Sequence, residues 1–221
     1  MKDKAITALA IFFLILQLGA ETFFEKVDVD TSNHHEFKRE KEKAIFFDED
    51  RDVFTAIQMP HPSNLPDPRN SKKFTETFAA ATEETDAILV EAKGIFLDDG
   101  VWAGYVLNAF PQDPTGYTFQ VIIFIPTTEE TIMLQVNCVE RGTTGIREAT
   151  IWAQETLEGD GEIEYSLLTT WDVKYDALFP KHPLSRVRQK TAKIIESIHL
   201  NTATLESSLY PEELEPDGRG Q

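Results

Sequence analysis

Residues 87–140 read AILVEAKGIFL-DDG-VWAGYVLNAF-PQDPTG-YTFQVIIFI-PTTEE-TIMLQVNCVE. Four runs rich in Val, Ile, Phe and Tyr, Ala87 to Leu97, Val101 to Ala109, Tyr117 to Ile125 and Thr131 to Val139, alternate with short polar breaks. The breaks are turn chemistry: Gly100 and Gly116 admit positive φ, while Pro111 and Pro126 preset φ and withhold a donor. Connections this short join antiparallel neighbours, so the four runs predict a β-meander. On the third strand Tyr117, Phe119, Val121, Ile123 and Ile125 make one apolar face. The opposite face, Thr118, Gln120, Ile122 and Phe124, is half polar, which predicts a central strand covered in part on both sides.

Outward from the meander, Ala44–Phe47 and Val53–Met59 flank the acidic break Asp48–Asp52 and predict a hairpin. Pro60, Pro62, Pro66 and Pro68 then enforce an extended loop. Phe74, Phe78 and Ala81 recur at helical spacing and predict a helix over 71–84. Beyond the sheet, Ile146, Ala149, Ala153 and Leu157 predict a helix over 146–157. A second runs over 184–199, opened by His182-Pro183, with Pro183 suited to its first position. Residues 163–179 are ambiguous, and 162–170 admit a strand. The fold class expected is α+β: an antiparallel β-meander of four to six strands packed with helices, an α/β sandwich.

The first twenty residues have the layout of an export signal. Lys2 and Lys4 precede the apolar run from Ala5 to Leu16, and Gln17-Leu18-Gly19-Ala20 closes it. The run is shorter than the roughly 20 residues that span a bilayer, and Leu18 is large for its place before a cleavage site. A cleaved signal and an uncleaved anchor are therefore both open, and membrane contact is expected only in the second case. The expected organisation is a signal over 1–20, a charged lead-in over 21–43, one α+β domain over 44–200 and a disordered acidic tail over 201–221. The protein is expected to be exported, to the periplasm or beyond the cell.

The chain of 221 residues carries a formal net charge of −17. That field repels nucleic acid and anionic lipid, so nucleic acid is not an expected partner. Cys138 is the one cysteine, which excludes an intrachain disulfide. It alternates with Ile132, Leu134 and Val136, and so belongs to the buried face of a strand.

The motifs that identify catalysis most specifically, a G-x-S-x-G elbow, H-E-x-x-H, a phosphate loop or a dinucleotide fingerprint, are missing from the sequence. Asp48, Asp50 and Asp52 have the one-three-five spacing of a calcium loop. However, Val53 stands where its glycine belongs and Met59 where its glutamate belongs, so an acidic turn is the better reading. His34-His35 reads as a solvated pair. No cofactor or metal is expected. Charge asymmetry is the strongest functional signal. Lys181, Arg186, Arg188, Lys190 and Lys193 cluster with no acidic residue among them, and cations near a helix start oppose its dipole. Two readings are open: a docking site for a protein partner or a small anionic ligand, or internal pairing with carboxylates elsewhere on the fold. Trp152, Trp171, Tyr175 and Phe179 read as packing, or as the wall of a groove beside the cluster.

The order of elements resembles that of the PsbP-like group of exported α/β proteins. The resemblance spans residues 53–200: a strand ending in Met59-Pro60, a helix near Phe74–Ala81, the meander, and a closing helix TAKIIESI over 191–198. This chain departs from that order by interposing residues 146–179. The resemblance implies a non-enzymatic binding or assembly module and carries over no functional residue. The function expected is thus an exported, non-enzymatic binding or accessory protein. Two alternatives are an envelope inhibitor or immunity protein masking a basic toxic enzyme, and a hydrolase with a spatially assembled site. The hydrolase requires a deep polar pocket with His182 or His199 near a carboxylate.

Overall fold

A computed structural model describes residues 26–158 and 167–210. The export signal over 1–20 lies outside the described residues, as do 159–166 and the chain from 211 onward.

The molecule is built on a seven-stranded antiparallel sheet with helices on both faces, an α+β fold. Its strands are β2 (His35–Arg39), β3 (Lys43–Phe47), β4 (Val53–Pro60), β5 (Ile88–Leu97), β6 (Val101–Pro111), β7 (Tyr117–Pro126) and β8 (Glu130–Val139). They lie in the order β2-β3-β4-β8-β7-β6-β5. The meander and the hairpin form as their turn residues require. β4 then pairs with β8, from Val53 opposite Asn137 to Pro60 opposite Glu130, and joins hairpin to meander.

One face of the sheet, with Phe119, Val121, Ile123 and Ile125 of β7 and Ile132, Leu134, Val136 and Cys138 of β8, is fully buried. It packs on Leu184, Val187 and Ile194 of α4 (Pro183–Ser197). The opposite face carries a smaller core of Val106, Phe124 and Met133 with Phe74 of α1 (Ser71–Glu83). Asn70 caps α1 by accepting the Lys73 N–H at 3.1 Å. Phe74 and Phe78, one turn apart, lie with ring centres 4.8 Å apart and enter that core together. The contact is possible because residue 104 is glycine: a Cβ there would lie 2.6 Å from the Phe74 ring. On the polar half of this face Gln120 donates to Asn137 at 2.9 Å.

The strand count exceeds the four to six expected because the charged lead-in is partly ordered. His35–Arg39 forms the exposed edge strand β2, whose charges suit an unpaired edge. β1 (Val27–Asp28) pairs antiparallel with β9 (His199–Leu200). The expected tail likewise begins with structure. α5 (Thr202–Glu206) is capped by Asn201, Ser208 bridges Thr127, and the Tyr210 carbonyl accepts the Trp102 N–H at 2.9 Å. Regular structure therefore extends past both expected domain boundaries, 43/44 and 200/201. Between sheet and closing helix lie α2 (Ile146–Glu158), α3 (Leu167–Thr170) and a 3-10 turn (Val173–Tyr175). Where a strand was admitted over 162–170, the described part, 167–170, is helical. Among the described residues no helix is long and apolar enough to cross a membrane.

Candidate functional site

The basic cluster lies mostly against the fold's own carboxylates. Arg186 grips Asp52 with both arms, Nε to Oδ2 at 2.8 Å and Nη2 to Oδ1 at 2.9 Å. Lys190, one turn on, places its Nζ among the hairpin aspartates, 2.5 Å from Asp48, 3.0 Å from Asp50 and 2.6 Å from Asp52. The carboxylates with calcium-like spacing thus converge on an ammonium supplied by the chain. Asp52 is 2% exposed. Burial would raise its pKa, but the hydrogen bonds from Arg186 and Lys190 outweigh burial and hold it below the ordinary carboxylate range. Arg188 pairs with Asp176 at 3.2 Å and donates to the Trp171 carbonyl at 2.9 Å. Lys181 and Lys193 are exposed. Cys138 is buried beside Asp52, and burial first, then that carboxylate, pushes its thiol well up. His35 is exposed on the edge strand, whereas His34 packs its ring on Phe54 with centroids 5.7 Å apart.

A different constellation forms where β7 begins and β8 ends. A cleft of about 630 Å³ opens there, lined by Tyr117, Glu140, Thr144, Glu148, Trp152 and Leu167 among others. Positions 145, 148, 149 and 152 all line it, which is one face of α2 and the turn before it. Glu140 follows directly on β8. Its Oε2 accepts the Tyr117 N–H at 3.1 Å and its Oε1 the Gly145 N–H at 3.0 Å. Glu140 is 8% exposed, and burial, with Glu148 adding, raises its pKa against the effect of these hydrogen bonds. Gly116 is needed at the rim: its φ is +94°, and a Cβ would meet Thr144 at 2.8 Å and Glu140 Oε2 at 3.1 Å.

Glu148, 6% exposed, accepts the Trp171 indole N–H on Oε1 at 2.7 Å, while its Oε2 is buried without a hydrogen bond among the described residues. Trp171 is itself core, edge-on to Tyr117 and Phe119 at 5.1 and 5.3 Å. Trp152, by contrast, is 47% exposed on the cleft wall. Of the aromatic residues weighed between packing and a groove, Trp171 and Tyr175 pack, and Trp152 lines a cleft.

Behind the two carboxylates stands His182, the N-cap of α4. Its Nδ1 accepts the Leu184 N–H at 3.2 Å, so the neutral ring carries its proton on Nε2. Burial, with Arg147 and Arg186 adding, lowers the His182 pKa to about 3. The ring is therefore uncharged near neutral pH, and its approaches to Glu140 Oε1 (3.9 Å) and Glu148 Oε1 (3.7 Å) are not ion pairs. Donor atoms of Glu140, Glu148 and His182 lie within 4.8 Å of one another, a span compatible with a metal ion. With Nδ1 spent on the helix cap and Nε2 protonated, however, the two carboxylates are the ligands the site offers.

Sequence reasoning named His182 as one of two candidate histidines, and missed Glu140 and Glu148. The only local signal for these two was a carboxylate on an apolar run: Glu140 following a strand, and Glu148 on the face of a helix that also carries Ala149 and Trp152.

No protein-family model and no curated protein matches the sequence. Among solved structures, the chain is similar to the Ran-binding protein Mog1p of Saccharomyces cerevisiae. That match has 10% identity and a TM-score of 0.46, and covers 84% of this chain and 96% of the other. It is also similar to cyanobacterial PsbP from Synechocystis at 14% identity and a TM-score of 0.31, over 63% of this chain and 92% of the other. The resemblance to PsbP-like proteins read from element order is thus present in the structure as a weak, partial one.

Proposed function

We propose that the protein is a non-enzymatic binding or accessory protein and that the cleft beside α2 is where it docks its ligand. The observation that carries this reading is Glu148 Oε2, buried without a donor among the described residues at an open cleft of about 630 Å³. A buried acceptor left unsatisfied costs ~1–3 kcal/mol, a cost that a ligand's donor relieves. Apolar walls with a few convergent polar groups are the usual make-up of a ligand site. The site of action is outside the cytosol, a reading supported by Lys2, Lys4 and the apolar run 5–16.

The hydrolase reading gains one observation, a histidine beside two carboxylates at a pocket. It is disfavoured by the state of that histidine. A general base needs a free lone pair, and His182 has Nδ1 engaged by Leu184 and a proton on Nε2. A contribution from the basic helix rests on Lys181 and Lys193, since Arg186, Arg188 and Lys190 have internal carboxylate partners. The paired variant Lys181→Glu/Lys193→Glu tests that contribution without breaking those pairs. An inhibitor of a basic enzyme would draw on the net charge of −17.

The test is a ligand screen by thermal shift against the exported fraction of the source cell, with Trp152 fluorescence as a local reporter. Binding is expected to raise the midpoint and to shift an emission component that Trp152→Phe removes. A stabilising ligand whose binding is indifferent to both Trp152→Phe and Glu148→Gln would place docking elsewhere and overturn the reading.

A further inference from the structure

We infer that the cleft is built for an organic cation, an alkylammonium or guanidinium head on an apolar stem, received by Glu140 and Glu148. This inference rests on the docking reading and names the class of ligand. Glu140 and Glu148 both line the cleft, and among the described residues the basic side chain within 4 Å of both is His182, whose ring is neutral. The neighbouring guanidiniums are committed elsewhere, Arg147 to Asp176 at 2.8 Å and Arg186 to Asp52 at 2.8 Å. Two nearby buried carboxylates without a counter-charge are unfavourable, and a bound cation offsets both together.

Hydrogen bonding points the same way. Among the described residues Glu148 Oε2 has no donor, and a carboxylate offers only acceptor positions, so the ligand must bring a hydrogen-bond donor, which ammonium and guanidinium heads supply in number. The Trp171 Nε1–H reaches Glu148 at 2.7 Å and acts as a positioning group, while His182 Nε2, 3.9 and 3.7 Å from the two carboxylates, is buried without a hydrogen-bond partner among the described residues. Tyr117, Trp152, Ala149 and Leu167 supply the walls, which suit a methylene stem, and aromatic faces attract a cation. A cleft of about 630 Å³ is far larger than a bare ion requires. With the single proton of the neutral His182 ring on Nε2, that size favours an organic head group over a metal.

The experiment uses calorimetry on the full chain with n-butylguanidine and n-butylamine, against their neutral counterparts n-butylurea and n-butanol. A blocked tripeptide with a central lysine and zinc ion alone are further arms. Saturable binding of a cation is expected, weakened roughly tenfold or more for the neutral counterpart and in Glu148→Gln. That variant keeps an acceptor for Trp171, and circular dichroism checks its fold. Tighter binding of the tripeptide than of butylamine would assign the cation to a polypeptide side chain, and the reverse to a free amine. Both outcomes support the inference. Equal binding of the neutral counterparts, binding unaffected by Glu148→Gln, zinc binding without any organic cation, or no cation binding at all would each overturn it. A neutral ligand that shifts Trp152 emission would sink the cation alone and leave the docking reading standing.

Discussion

Asp52 is a buried carboxylate held by two cations, taking two hydrogen bonds from Arg186 and one from Lys190. Asp52→Ala leaves two half-buried cations short of a partner and is expected to cost about 3–5 kcal/mol, read by urea denaturation. Its pKa is lowered in the folded state, so the folded protein binds fewer protons there than the unfolded chain does. That contribution is complete above about pH 4 and fades as pH falls further. His182 acts in the same direction over a higher window. Its folded pKa of about 3 lies below the unfolded value of about 6.5, so stability should decline from about pH 6.5 downward until the ring protonates in place. His182→Asn keeps an N-cap acceptor and should flatten that part of the profile; an unchanged slope would show that the ring does not titrate as its burial implies. Internal pairing of the basic cluster was legible as an alternative, but not its partners, since Arg186 and Lys190 meet Asp52 only across separations of 134 and 138 residues. The Glu140–Glu148–His182 group was not, since its members meet only through folding.

At the scale of elements, α2 is fastened through Arg147, whose side chain is wholly buried. Its guanidinium donates to the Thr170 and Asp172 carbonyls at 3.0 Å, to Asp176 at 2.8 Å and to the Ser185 hydroxyl at 2.9 Å. One side chain thus ties α2 to α3, to the 3-10 turn and to α4. Arg147→Ala strands Asp176 and several carbonyls and is expected to cost about 3–5 kcal/mol. Hydrogen exchange should show protection falling first in α2, and uniform loss across the sheet would place the fastening elsewhere. The three longer helices were legible: Phe74 and Phe78 gave α1, the apolar stripe from Ile146 gave α2, and Pro183 marked the first turn of α4. Arg147 was not, because an arginine on a helix reads as solvated until the partners that surround it are in place.

For the molecule as a whole, the meander could be read because Asp98-Asp99-Gly100 and Pro111–Gly116 are local instructions. The pairing of β4 with β8 joins residues far apart in the chain, and no local pattern records it. The two-residue pair β1–β9 is shorter than any periodicity can register. That small pair also decides how the molecule answers tension. The chain enters at Val27 and leaves at Leu200 from the same end of one antiparallel ladder, with the Asn201 N–H donating to the Lys26 carbonyl at 3.0 Å. A pull on the two ends therefore first strips residues 207–210 from β6 and the turn between β7 and β8, where Tyr210, Leu209 and Ser207 bond to Trp102, Pro126 and Thr128. It then opens this ladder like a zip, one bond at a time. An extension trace taken between the termini should show a short release at low force ahead of the main rupture. A single rupture would mean that the ends are held as firmly as the sheet itself.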